Sequence, residues 1–285
     1  MAADRDTTKA IPTEFIYQIS ALIISILVVH IIYLSIIRPN ADAILAERAQ
    51  AMESGSVVDT DRSLFVVLRD YEQESCFILF FWAFAMMGLK ARDISRQRSF
   101  QDRELITLGQ GMSILPEDAR LYCRGVESLS VEEQKFVIPK ALLAALNGFA
   151  STGNILDVSE AIQGVCNTES ERLDSELSMI RYIAWAIPSI GFIGTVRGIG
   201  DALGQAYKAV EGDIAGVTAS LGVAFNSTFI ALVISILLMF LMHQLQLYQE
   251  RLILETNDYC DQNLLRHLRI CLLYTSPSPR DRTRS

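Results

Sequence analysis

Hydrophobic residues are concentrated in four segments of the chain, separated by polar stretches of unequal length. The first segment, from Phe15 to Ile37, runs for 23 residues without Asp, Glu, Lys or Arg. At about 1.5 Å per helical residue it is long enough to cross about 30 Å of hydrocarbon. The pattern therefore predicts a transmembrane helix at 15–37, following a cytoplasmic N-terminus at 1–14.

The second apolar segment is short, because CFILFFWAFAMMGL from Cys76 to Leu89 has only 14 residues, fewer than spanning usually requires. Its two flanks differ in charge. Residues 38–75 contain eight acids and four arginines, whereas the other flank contains Lys90, Arg92, Arg96, Arg98 and Arg103. Cytoplasmic segments carry the excess of Lys and Arg. We therefore predict a short transmembrane helix at 76–90, with a periplasmic loop at 38–75 before it.

Residues 91–178 mix polar and apolar positions and carry helix signals, which predicts a cytoplasmic helical domain. Ser130 and Glu133 have capping-box spacing, and Pro139 suits the first turn of a helix. From Asp157 onward the pattern stays helical, so we expect one long helix to lead into the third span.

The last two apolar segments predict a helical hairpin. The third span is placed at 179–204, a periplasmic turn at 205–216 and the fourth span at 217–243. The helical pattern then continues at 244–270 as a cytoplasmic helix. The stretch at 271–285 breaks the pattern abruptly, and we expect it to be non-native sequence.

Together these elements predict an all-α membrane protein with four transmembrane helices, of which the second is short. A helical cytoplasmic domain lies between spans 2 and 3, and spans 3 and 4 extend into the cytoplasm. Both termini are expected on the cytoplasmic side of a bacterial inner membrane, with the protein crossing the lipid bilayer several times.

Composition narrows the function classes. The chain is 51% hydrophobic with a net charge of −8 and no basic run, which excludes nucleic-acid binding as an expected role. The cysteines and histidines show no metal-ligand spacing. We expect isolated reduced thiols, no metal and no cofactor; the cysteines are Cys76, Cys123, Cys166, Cys260 and Cys271.

His30 is an ionisable residue within the first span. Such residues at membrane depth are candidates for proton relays. The alternative is a neutral imidazole that hydrogen-bonds to a neighbouring helix, and the sequence leaves both interpretations open.

Small residues recur at helical spacing in the last two spans, and such a face lets a second helix approach closely. The third span presents Gly191, Gly194, Thr195, Gly198 and Ala202. The fourth presents Ser220, Ala224, Ser227, Thr228, Ala231 and Ser235.

Two threonines on these faces are expected at the same membrane depth. If the hairpin turns near residues 211 and 212, Thr195 lies 16 to 17 residues before the turn and Thr228 lies 16 to 17 after it. With Ser227 and Asn226 beside them, they offer oxygens to a water, an ion or a partner side chain. The alternative is that these hydroxyls simply hold the two helices together.

Arg197 and Asp201 lie one helical turn apart and form a candidate ion pair near the outer end of the third span. A snorkelled structural role and a role in ion conduction both remain open for this pair. No Asp or Glu lies in the middle of any predicted span. A proton path would therefore need a carboxylate from another chain.

The segments IPSIGFIGTVRGIGDAL and ASLGVAFNSTFIALVISIL resemble the paired signature of the MotA/TolQ/ExbB proton channel family. The resemblance implies a homopentamer around a dimer of a single-span partner whose aspartate faces Thr195 and Thr228. It also implies that Pro188, Gly191, Gly194 and Gly198 shape and pack the pore wall. Arg197 departs from the family pattern, which commonly has a bulky apolar or aromatic residue there.

This resemblance implies a proton-channel subunit of a stator-like motor, driven by the proton motive force, and no enzyme. The alternative from a different class is a non-conducting oligomeric scaffold that recruits a cytoplasmic partner. A small secondary transporter is disfavoured, because the sequence shows no internal repeat and no pair of interrupted helices.

Overall fold

A computed structural model describes most of the chain: residues 13–53, 63–103, 105–106, 113–210, 212 and 214–269. The predicted N-terminal segment lies largely outside these residues. So do Glu211 and Asp213 of the predicted turn and the whole segment 271–285.

The described residues form helices and no strand, which confirms the predicted all-α class. Four helical segments are long and apolar enough to cross a membrane: Phe15–Arg48, Tyr71–Arg98, Ile155–Gly204 and Ala215–His267. Their number agrees with the four predicted spans.

The helices are labelled here in chain order. A π-helical stretch at Tyr33–Ile37 joins the first two, and short 3-10 helices lie at Glu133–Lys135 and Leu265–His267. The α-helices are α1 Thr13–Ile32, α2 Arg38–Glu53, α3 Leu64–Val67, α4 Tyr71–Arg98, α5 Ala119–Glu127, α6 Val137–Thr152, α7 Ile155–Glu176, α8 Ser178–Gly204, α9 Ala206–Val210 and α10 Ala215–Asn263.

The region predicted as a loop at 38–75 is largely helical where it is described, since it contains α2, α3 and the start of α4. The second span is also longer than expected: α4 has 28 residues, although its apolar run has 14. Within a membrane each backbone N–H and C=O must be paired inside the helix. A short apolar run is therefore extended into the polar residues on both sides, which brings Glu72 and Glu74 into the helix.

The chain divides into two compact units. The first unit comprises residues 1–91 and 177–245, and the second comprises 92–176 and 246–285. In the first unit the helices expose many bulky apolar side chains, including Ile24, Phe192 and Phe225. Such surfaces suit contact with lipid.

The second unit has a hydrophobic core of its own, formed by α5, α6, α7 and the end of α10. Its fully buried side chains include Leu142, Phe149, Ile162 and Leu264. The backbone of Ile114 pairs with that of His267 and Arg269 at the edge of this core.

The predicted capping box at Ser130 and Glu133 is confirmed in the second unit. Ser130 Oγ donates to Glu133 Oε2 at 2.8 Å, and the Glu133 N–H donates to Ser130 Oγ at 3.3 Å. The Ser130 N–H also donates to Glu133 Oε2, at 3.1 Å. The two hydrogen bonds that this carboxylate oxygen accepts from Ser130 hold the pKa of Glu133 below its usual value. Pro139 is the third residue of α6, in the first turn as predicted.

A candidate ion pathway in the first unit

Helices α8 and α10 pack closely along their small residues. A Cβ atom added to Gly191 would lie 2.5 Å from the Cβ of Ala231, and one added to Gly194 would lie 2.4 Å from Ser227 Oγ. A Cβ at Gly198 would lie 2.7 Å from the carbonyl oxygen of Ser220. Contacts move toward the start of α10 as they move toward the end of α8, so the two helices are antiparallel. The absence of side chains at these three glycines is what permits the approach.

Pro188 lies inside α8 and removes one helical hydrogen bond, because proline has no N–H. The carbonyl left without that donor belongs to Ala184, four residues earlier. Ser235 Oγ of α10 donates to this carbonyl at 3.3 Å. A hydroxyl of the small-residue face thus satisfies the backbone group that proline frees, as membrane helices require.

Thr195 and Thr228 lie opposite each other, and their hydroxyls are hydrogen-bonded directly. This places the two threonines level with one another, as the hairpin geometry predicts. Thr195 Oγ1 is also 3.2 Å from the carbonyl of Ala224, and Thr228 Oγ1 is 3.0 Å from the carbonyl of Gly191. Both side chains are half-buried.

The hydrogen-bond inventory of this pair defines its chemistry. Two hydroxyls supply two protons, and the surrounding carbonyls and the hydroxyl–hydroxyl bond consume both. The lone pairs are not all used, because each hydroxyl oxygen has two. The threonine pair can therefore accept a further hydrogen bond.

The two polar neighbours of Thr228 lie on different sides of α10. Ser227 is fully buried, packs against Gly194 and donates to the carbonyl of Ala224 at 3.0 Å. Asn226 instead lines a cavity of about 650 Å³. The structure thus brings Thr195, Thr228 and Ser227 together and leaves Asn226 outside this group.

The predicted ion pair between Arg197 and Asp201 is wrong, since Arg197 lies beside two other acidic residues. Arg197 Nη2 lies 3.1 Å from Glu72 Oε2 and 4.0 Å from Asp70 Oδ1. Asp201 is exposed. A buried carboxylate has lost most of its hydration and needs a countercharge more than an exposed one does. Arg197 therefore points to the start of α4 and not along its own helix.

A second ion cluster joins α4 to the first helices. Glu74 accepts a hydrogen bond from Arg38 and lies 2.6 Å from Nδ1 of His30. His30 thus contacts a neighbouring helix, and its partner there is a buried carboxyl group. The guanidinium of Arg38 also stacks on the ring of Tyr71 at 4.3 Å.

Sequence reasoning missed Glu72 and Glu74, because both precede the apolar run at 76–89. The signal that could have found them is the shortness of that run. A membrane-spanning helix with only 14 apolar residues must include the residues that flank the apolar run in the sequence. On the N-terminal side those residues are acidic. The side chains of Glu72 and Glu74 are 10% and 7% exposed.

Comparison with family models decides the relationship that the motifs suggest. Residues 133–258 match the MotA/TolQ/ExbB proton channel family. Searches of curated proteins and of solved structures each gave no match. The predicted family resemblance is therefore confirmed over this region.

The MotA/TolQ/ExbB match covers α6, α7, α8 and most of α10, and so includes both threonines and the three close-approach glycines. Together with the four apolar helices, it points to a multi-pass membrane protein. Glu72, Glu74 and their partners His30 and Arg38 lie outside the matched residues. Their arrangement rests on the structure of this chain.

Proposed function

We propose that the chain is the proton-channel subunit of a stator-like motor in the bacterial inner membrane, driven by the proton motive force. It would work as a homopentamer with a dimer of a single-span partner that carries an aspartate. Proton entry would be worth about 2.3 kcal/mol per charge per 100 mV. No enzymatic step belongs to this proposal.

The observation that carries the proposal is the threonine pair. Thr195 and Thr228 are level, half-buried and hydrogen-bonded to each other, with acceptor capacity left over. A protonated aspartate on a partner helix is the kind of donor that such a pair can receive. The family match over residues 133–258 supports the same conclusion.

The Pro188 and glycine positions support a wall-forming role for α8. Close packing of α8 and α10 holds the two hydroxyls in register, so that they can act on one passing donor. Rigid placement of polar groups reduces the cost of rearrangement when a charge arrives.

The test is proton flux into vesicles containing the full chain and a candidate single-span partner. We expect Thr195→Val and Thr228→Val to assemble normally. Loss of a hydroxyl that bonds the proton carrier costs about 1–3 kcal/mol, so flux should fall by a factor between about five and about a hundred. A pH-sensitive dye reports the flux after a potential is imposed.

The matched control is Ser189→Ala on α8. Its hydroxyl donates only to the carbonyl of Trp185 in the same helix, and its side chain is exposed. This variant should conduct as wild type does. Wild-type flux in both threonine variants would refute the assigned roles, and the non-conducting scaffold would then be the better interpretation.

A further inference from the structure

Helix α8 is held from two sides within the first unit. Its glycine face packs against α10. A second line of contacts joins it to α4. Cys76 Sγ donates to the carbonyl of Ile187 at 3.7 Å, and two helical turns further along α8 a Cβ added to Gly194 would lie 3.1 Å from Glu72 Cγ. Helix α4 therefore follows α8 to the level of the threonine pair.

The two sides hold α8 in different ways. Helices ordinarily resist rotation about their axes because the side-chain ridges of one fit the grooves of the other. On the side that faces α10, Gly191, Gly194 and Gly198 have no side chain to form such a ridge. This face permits close approach and offers few interlocking contacts. The rotation of α8 must therefore be fixed largely by its polar side chains.

Arg197 provides a polar contact on the side of α4. Its Nη2 lies 3.1 Å from Glu72 Oε2 and 4.0 Å from Asp70 Oδ1, so two acidic residues at the start of α4 flank one guanidinium. The contact with Glu72 has the distance of an ion pair, although Oε2 accepts no hydrogen bond of good geometry from a described residue. Because the Glu72 side chain is only 10% exposed, water and salt screen this attraction less than they would at the surface.

The start of α4 is itself attached to the first helices. Glu74 accepts a hydrogen bond from Arg38 and lies 2.6 Å from His30 Nδ1. Further along α4, Trp82 Nε1 donates to the carbonyl of Gln18 in α1 at 2.9 Å. Arg197 therefore attaches α8 to a part of the unit that other contacts hold in place.

Arg197 and Thr195 occupy opposite flanks of the same helix. They are two residues apart, which places their side chains about 200° apart around the axis at about 100° per residue. Thr195 is hydrogen-bonded to Thr228 of α10. Because a helix turns as a unit, a rotation that carried Arg197 away from Glu72 would also carry Thr195 away from Thr228.

We infer that Arg197 and Glu72 are positioning residues, whose ion pair fixes the rotation of α8 and so holds Thr195 opposite Thr228. Glu72 lies outside the residues that match the family, so a helix before the matched region orients the threonine pair within it. The effect on conduction rests on the proposed function, whereas the effect on the geometry of the pair does not.

The first experiment measures that geometry directly, in the full chain without a partner. Thr195→Cys/Thr228→Cys introduces two facing thiols, and peptide mass spectrometry follows their oxidation to a disulfide. Adding Glu72→Gln/Arg197→Gln should slow the oxidation about tenfold, because a reaction between held groups depends on their orientation. An unchanged oxidation rate would overturn the inference.

Thermal midpoints in detergent separate a change of position from a loss of fold. Glu72→Gln/Arg197→Gln removes both charges of the pair, and Asp70 still has the charges of Arg69 and Arg38 nearby. Its midpoint should therefore stay near that of wild type, as when both partners of a buried pair are replaced. Arg197→Gln alone leaves the Glu72 carboxylate buried without its partner and should lower the midpoint.

The matched control is Asp42→Asn/Arg69→Gln. This change also removes an ion pair, with a distance of 3.1 Å, that joins α2 to the segment before α4 and includes no residue of α8 or α10. It should leave the oxidation rate of the two introduced cysteines unchanged. An equal slowing in this control would show a general effect of lost charge and would overturn the positioning role.

The second experiment measures proton flux in vesicles that contain the chain and a candidate single-span partner. Glu72→Gln/Arg197→Gln should reduce the flux by a factor between about ten and about a hundred, since a small misplacement of an acting group can cost about a hundredfold. Arg197→Lys keeps the positive charge that faces Glu72 and should retain more of the flux.

Wild-type flux in the double variant would overturn the positioning role while leaving the threonine results, and so the proposed function, intact. Absence of proton flux in the wild-type chain with its partner would instead refute the proposed function. The oxidation rates would still decide, in that case, whether the ion pair holds Thr195 opposite Thr228.

Discussion

At the scale of single residues, the polar groups of the first unit differ in whether they have a hydrogen-bond partner among the described residues. Thr195, Thr228 and Ser235 each bond a backbone carbonyl of the facing helix. Tyr33 is an exception, because its side chain is 1% exposed and its hydroxyl has no hydrogen-bond partner among the described residues. Such a group costs free energy that an apolar replacement of the same shape would not.

We therefore expect Tyr33→Phe to leave stability unchanged or to raise it by about 1 kcal/mol. The ring remains to pack against Phe77, with centroids 6.5 Å apart. Thermal unfolding in detergent, followed by circular dichroism, measures the effect. A clear loss of stability would mean that the hydroxyl has a partner in the assembled protein.

At the scale of helices, the pairing of α8 with α10 depends on glycines that have no room for a side chain. Gly194 faces the buried Ser227, whereas Gly200 on the same helix has no heavy atom within 4 Å of an added Cβ. The two positions differ in their surroundings and not in their helical backbone.

This difference predicts opposite results for the same substitution. Gly194→Ala forces the helices apart and should cost about 1–3 kcal/mol, as overpacking does. Gly200→Ala should stabilise the helix by up to about 1 kcal/mol, because alanine is the better helix former. Thermal midpoints of the two variants in detergent give the comparison, and equal midpoints would argue against close packing at Gly194.

At the scale of the whole molecule, the chain has two units. The helices of the first expose bulky apolar side chains, and the second has an apolar core of its own. Helices α4 and α10 each contribute residues to both units. The family match begins in the second unit, includes α8 and the part of α10 that belongs to the first unit, and ends again in the second. The proposed homopentamer specifies a number of copies, and that number can be measured directly.

Native mass spectrometry of the solubilised full chain should show five copies, or five with two of a single-span partner. The reason is the proposed ring around a partner dimer, in which the threonine pairs face the partner. A monomer or dimer, with or without a candidate partner, would leave the scaffold as the better interpretation. Thr195→Val should give the same subunit number as wild type, which separates assembly from conduction.

The sequence alone determined the elements that depend on local pattern. Long apolar runs predict spans, and Ser130 with Glu133 predicts a helix start. Small residues at helical spacing predict a close helix pair. The level of Thr195 and Thr228 also followed from sequence, since a hairpin matches residues at equal distances from its turn. Each of these rests on short-range chain geometry.

Only the tertiary structure decided the ion pairs and the extent of α4. Arg197 has Asp201 one turn away, yet it contacts Glu72 from a helix more than a hundred positions earlier in the chain. A charged side chain is drawn to the partner whose burial leaves it least hydrated, and burial depends on how the helices assemble. The position of the Glu72 carboxyl group beside α8 could therefore be found from the fold and not from the order of residues.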